Sequence, residues 1–140
     1  MSKETPTNDP MVGTWKVNVS KSTYSPGPTP KSTINKFEPW EDGMKATIDI
    51  IDAQGNNIHS EAAVKFDGKD YPIKGSPIAD AVSVKRANER QTDIVWKKGG
   101  KTVMTGKSVI SADGRTTTVT QTGTDPQGRT VNNVIVYDKQ

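Results

Sequence analysis

The stretch Met44-Lys45-Ala46-Thr47-Ile48-Asp49-Ile50-Ile51-Asp52-Ala53-Gln54-Gly55-Asn56-Asn57-Ile58-His59-Ser60-Glu61-Ala62-Ala63-Val64-Lys65-Phe66 decides the fold class. Met44, Ala46, Ile48 and Ile50 alternate with Lys45, Thr47 and Asp49. After the break Ala53-Gln54-Gly55-Asn56, Ile58, Ser60, Ala62, Val64 and Phe66 alternate with His59, Glu61, Ala63 and Lys65. Successive side chains of a strand point to opposite faces, so a period of two gives each segment one drier and one wetter face. Glycine supplies the positive φ a tight turn requires, and asparagine tolerates it next best. Strands joined by so short a turn are antiparallel neighbours, because a parallel crossover needs roughly a dozen residues or more.

The same unit recurs along the chain. Turn signals stand at Glu41-Asp42-Gly43, Asp67-Gly68-Lys69, Gly99-Gly100, Ala112-Asp113-Gly114 and Asp125-Pro126-Gln127-Gly128. Period-two segments of roughly eight to eleven residues lie between such signals, at 81–87, 92–98, 101–111, 115–124 and 129–138. Arg115-Thr116-Thr117-Thr118-Val119-Thr120 is dominated by β-branched residues, which suit strands and disfavour helices. No window carries a helical stripe. The expected fold is all-β, an antiparallel up-and-down meander closed into a barrel of about ten strands. Closure removes the two edges a flat sheet would expose; a two-sheet sandwich is the alternative.

The chain has 140 residues, enough for one core. Residues 11–140 are read as a single barrel domain, and 1–10, polar with two prolines, as a disordered or artificially appended tail. Only 31% of residues are hydrophobic, which calls for a thin core or a lined interior rather than a solid one. The regular alternation argues against disorder as the cause. Nineteen basic and sixteen acidic residues, well interspersed, give a formal charge of +3, without the clustered basic footprint of a nucleic-acid binder. No run approaches the ~20 apolar residues of a membrane helix. With no cysteine, disulfides and thiolate metal sites are excluded. The compartment stays open: 1–10 is not a signal peptide as it stands, and an exported mature form is preferred to a cytoplasmic one.

Two stretches break the rhythm. Residues 20–31 contain Pro26, Pro28 and Pro30, with Gly27 between the first two, and read as an irregular loop that crosses an end of the barrel. Gly75-Ser76-Pro77 is a second break.

Few residues carry chemistry. Gly106-Lys107-Ser108 resembles the end of a phosphate loop, but the glycine needed five positions earlier is Lys101 and no helix follows. Lys97, Lys98 and Lys101 flank a hairpin tip, either as an anion contact or as a solvated turn that discourages edge pairing. His59 is the only histidine; Glu61 shares its strand face and Asp49 lies on the adjacent strand, so the imidazole could serve as a general base with its tautomer held. One histidine among scattered carboxylates does not make a metal site, and no cofactor is expected. Trp15, Trp40, Trp96 and Tyr137 supply most of the large aromatic surface, either as core or as faces for a flat ligand.

Gly13-Thr14-Trp15-Lys16 opening the first strand and Val136-Tyr137-Asp138-Lys139 closing the last resemble the two ends of calycin barrels, the lipocalin-like and fatty-acid-binding-protein-like group. The fuller block Gly13-Thr14-Trp15-Lys16-Val17-Asn18, with Lys21-Ser22, Pro26-Gly27-Pro28 and Asp67-Gly68-Lys69-Asp70-Tyr71-Pro72, is similar to small bacterial lipocalin-like proteins. That resemblance implies a barrel holding a small hydrophobic ligand. Two departures qualify it. The loop after the first strand is too short and proline-rich for the helical lid of fatty-acid-binding proteins. Their Arg-x-Tyr carboxylate grip reads Ile135-Val136-Tyr137 here, so the cation is gone, and an unpaired buried charge is costly.

The expected ligand is therefore neutral, hydrophobic or aromatic, and bound by Trp15, His59, Trp96, Met104, Asn133, Ile135 and Tyr137. The alternative is a cofactor-independent enzyme using His59, Asp49, Glu61 and Tyr137 as acid–base groups on an aromatic or small organic substrate. With Tyr137 inward, Ile135, Asn133 and Val131 follow it, while Val134 and Val136 face outward as a possible homodimer or homotrimer surface. Nucleic acid and membrane are not expected partners.

Overall fold

The computed structural model describes residues 5–140. These hold eleven strands: β1 (Gly13–Val17), β2 (Thr23–Ser25), β3 (Ser32–Trp40), β4 (Gly43–Ile51), β5 (Asn57–Val64), β6 (Asp67–Pro72), β7 (Ala81–Asn88), β8 (Gln91–Lys98), β9 (Lys101–Ile110), β10 (Thr116–Thr124) and β11 (Thr130–Lys139). They form one antiparallel sheet in the order β5-β4-β3-β1-β11-β10-β9-β8-β7-β6, with β2 added beside β11. Pairing of the first strand with the last, Trp15 with Lys139 and Val17 with Tyr137, curls the meander into a barrel. This is the up-and-down architecture the glycine-punctuated alternation predicts.

The barrel is nearly closed. β5 and β6 end the strand order, and the seam is bridged at one position, where Glu61 of β5 and Lys74, two residues beyond β6, exchange backbone hydrogen bonds of 3.0 and 2.9 Å. Just beyond, Gly75 (φ +86°) presses against the His59 carbonyl, which a Cβ would approach to 2.1 Å. Only glycine fits such a contact at such a φ.

The stretch 20–31 is more ordered than its prolines suggest. A 3-10 turn, Val19–Lys21, lets the chain continue from β1 into β2 along the same partner, β11. Asn18 organises that corner: its Oδ1 accepts from the Lys21 amide, and its Nδ2 donates to Asp138 at 3.0 Å. The Val136 amide donates to the Ser22 hydroxyl at 2.9 Å. Local side-chain bonds of this kind fasten a corner that lies outside the ladder.

The expectation of a tail over 1–10 requires correction for 5–10; 1–4 lie outside the described residues. The Thr5 amide donates to the Glu41 carbonyl and its hydroxyl to the Gly43 carbonyl, both at 2.8 Å. Asp9 takes a two-pronged grip from Arg86 at 2.7 and 2.8 Å, with side chains only 9% and 14% exposed. The Arg86 guanidinium in turn lies over the Phe66 ring, 4.8 Å from its centroid. The segment thus ties the β3–β4 turn to β7. Composition alone missed it because the partners are distant in sequence.

Inward side chains form two buried clusters. Trp15, Val17, Ile110, Ile135 and Tyr137 gather around the first and last strands, and Val64, Val82 and Val84 around β5 and β7. On β11, Val131, Ile135 and Tyr137 are buried while Val134 is 42% exposed, the alternation expected of a strand with one dry face. Val136 is partly covered, since its strand edge meets the Asn18–Ser22 corner.

Candidate ligand cavity

Between the two clusters lies a cavity of about 330 Å³. β4 contributes Met44, Ala46, Ile48 and Ile50, the apolar row read from the alternation. β5 contributes Ser60, Ala62 and Val64; Ala46 faces Ala62 in register, so two small side chains leave space where larger ones would meet. Trp15, Phe37, Phe66, Ile94, Trp96 and Ile135 add larger apolar surface.

Trp15 is 2% exposed, and its indole donates to the Met11 carbonyl at 3.0 Å, so the ring is fixed while its face borders the cavity. Trp96 is placed by a glycine on the neighbouring strand. A Cβ at Gly106 would stand 2.8 Å from the Trp96 ring, so its absence lets the indole lie across β9. The phosphate-loop look-alike at 106–108 is therefore strand interior, with Gly106 serving as the bed for an aromatic ring.

Polar side chains are spread around the wall, with Ser60 on β5, Thr92 on β8, Ser108 on β9 and Thr117 and Gln121 on β10, and a further group stands on β2, β3 and β11. Tyr24, Thr33, Asn35 and Tyr137 all border the cavity. Burial pushes the Tyr24 phenol up to about 12, with the Thr33 hydroxyl pulling slightly the other way. Burial also raises Tyr137 well above the ordinary phenol value, reinforced by the nearby Tyr24 and opposed by Asn35. Both phenols keep their protons through the ordinary pH range and act as neutral hydrogen-bonding groups rather than bases. The Asn35 Oδ1 is buried with no hydrogen-bond partner among the described residues. Among the described residues the wall carries no lysine or arginine, and Glu61, at the seam, is its one carboxylate.

The sequence-derived site residues divide on this geometry. Trp15, Trp96, Ile135 and Tyr137 border the cavity. Met104 is buried but does not reach it; its Cα and Cβ pack where Gly123 leaves room. Asn133 is occupied elsewhere, accepting from the Ser25 amide at 3.1 Å and donating to Gln121 at 3.1 Å. The expectation for His59 needs correcting. It stands on the outer face, its side chain 52% exposed, with Nδ1 at 2.6 Å from Asp49 and Nε2 at 3.3 Å from Glu61. The alternation that sends Ile58 and Ser60 inward sends His59 outward, in register with Asp49. Hydrogen bonds that its ring donates to the Asp49 and then the Glu61 carboxylate raise its pKa above the ordinary 6.5 and favour imidazolium. Of the acid–base set, Tyr137 and Glu61 border the cavity whereas His59 and Asp49 face outward, so the four are not assembled in the interior. Tyr24, Asn35 and Thr33 escaped the sequence reading: Tyr24 lies in the proline-rich stretch, and Asn35 and Thr33 occupy inward positions of β3 that hydropathy does not mark.

Taken together, fold and site define a nearly closed antiparallel β-barrel with a largely apolar interior cavity, the architecture the calycin resemblance implies. No family model matches the chain, and no curated protein matches it. Among solved structures, the zebrafish ileal bile acid-binding protein complexed with cholic acid is similar over 94% of this chain and 99% of its own, at 16% identity and a TM-score of 0.46.

Proposed function

We propose that this chain is a binding protein that carries a small, neutral, hydrophobic or aromatic molecule inside its barrel. One observation carries the reading: a cavity of about 330 Å³ with an apolar wall and, among the described residues, no lysine or arginine on it. The volume is roughly twice the ~150 Å³ space known to hold one benzene, which suits a molecule of about two rings. A carboxylate taken into such a wall would lose its hydration without gaining a counter-charge, which favours neutral ligands.

The test is intrinsic tryptophan fluorescence during titration with 4-methylbiphenyl, since Trp15 and Trp96 both border the space. A saturable change, with weaker response to a fatty acid of similar volume, is expected. No saturable change up to the solubility limit would overturn the reading.

A further inference from the structure

Asn35 is the anomaly in the cavity wall. A buried carbonyl oxygen without a donor is destabilising by comparison with one that is paired, and native interiors rarely keep one without a use. Asn35 sits in the middle of β3, flanked in register by Trp15 on β1 and Ile48 on β4, so its backbone is fixed by pairing on both sides. Its side chain stands beside the Tyr137 hydroxyl, which is itself near Tyr24. The three residues come from three strands, β2, β3 and β11, and border the same space as Trp15 and Phe37. An apolar pocket with a few convergent polar groups is the usual form of a site that orients a ligand as well as enclosing it.

We infer that the Asn35 Oδ1, with the hydroxyls of Tyr24 and Tyr137 beside it, forms a subsite for a neutral ligand that bears a hydrogen-bond donor, an O–H or N–H on an aromatic or alicyclic body. The ligand donates to Asn35, and the phenols supply hydrogen bonds to the same polar group. Lacking a cation, this subsite selects hydroxyl or amide N–H groups over carboxylates. The inference rests on the binding function proposed above and specifies the ligand class.

A matched pair of probes separates the two claims. 4-Phenylphenol and 4-methylbiphenyl have nearly the same shape and differ by a hydroxyl in place of a methyl. The native chain should bind 4-phenylphenol roughly tenfold more tightly, the effect of one buried hydrogen bond. Asn35→Leu should bring the ratio close to one while 4-methylbiphenyl binding is retained. If that variant does not fold, Asn35→Val, which suits a strand, gives the same comparison. Equal binding of both probes by the native chain, or an unchanged preference in a folded Asn35 variant, overturns the subsite and leaves the binding function standing. Failure of both probes to bind the native chain overturns both.

Discussion

Filling the space between Ala46 and Ala62 distinguishes a hollow barrel from a packed one by the sign of a stability change. The two alanines face each other in register and both border the cavity. Replacing both by leucine adds six carbons, about the content of the benzene that occupies a ~150 Å³ space, and so consumes roughly half of the available volume. In a hollow interior each added methylene gains at most ~0.8 kcal/mol from burial, giving a ceiling near 2.4 kcal/mol for each Ala→Leu change and a smaller gain where the new side chain touches one wall only. In a filled core the same change would instead cost about 1–3 kcal/mol per site. For a chain of this length 1 kcal/mol moves the melting midpoint by roughly 3–5 °C, so the outcomes lie on opposite sides of zero. Thermal melting and urea unfolding of Ala46→Leu, Ala62→Leu and the double variant are expected to show unchanged or raised stability, with 4-methylbiphenyl binding weakened more than tenfold in the double variant. Marked destabilisation of both single variants would refute the hollow interior.

Other consequences can be measured independently. Asp9→Ala should cost about 2–3 kcal/mol in urea unfolding, because it leaves a largely buried guanidinium without its carboxylate; no loss would show that this pair does not hold 5–12 to β7. Burial alone would raise the Asp9 carboxyl, but the Arg86 hydrogen bonds and charge outweigh it and hold the group below the ordinary 3.8, so its contribution is present above that value and disappears as pH falls through the lower folded value. His59 should titrate above 6.5 by NMR, so the stabilisation it gains from Asp49 and Glu61 is complete below that pH and fades as pH rises through the folded value; His59→Gln should leave probe binding unchanged, and a loss of binding would restore it to the site. Tyr24, Tyr71 and Tyr137 are all raised, so absorbance near 295 nm should show less than half of the tyrosines ionised at pH 10 in the folded chain. If the outward face of β11 at Val134 and Val136 joins copies of the chain, light scattering at micromolar concentration gives a dimer or trimer mass that Val134→Lys reduces; a monomeric native chain ends that expectation.

The fold was legible because its signal is local. The rows Met44-Ala46-Ile48-Ile50 and Ile58-Ser60-Ala62-Val64 state which face is dry, and glycines mark the turns at 52–56, 99–100, 112–114 and 125–128, although the β5–β6 and β7–β8 turns have none and Asp67-Gly68-Lys69 lies within β6. The seam was not legible, since the Glu61–Lys74 bridge and the Gly75 contact depend on how far the sheet curls. The site was half legible. Large aromatics on inward rows, Trp15, Trp96 and Tyr137, border the cavity as their size suggests. His59 misled because chemical versatility was weighed above strand parity, although Ile58 and Ser60 on either side already assign it to the outer face. Asn35 was invisible for the opposite reason: a polar residue amid Ile34, Lys36 and Phe37 looks ordinary until its oxygen is found buried without a partner.

Methyl NMR of isoleucine-labelled protein tests the central claim most directly. Ile48, Ile50, Ile94, Ile110 and Ile135 border the cavity, whereas Ile34 and Ile51 are exposed outside it. Titration with 4-phenylphenol should shift the first group saturably and leave the second in place. Shifts confined to Ile34 and Ile51, or an unchanged spectrum at saturating probe, would contradict an interior that holds the ligand.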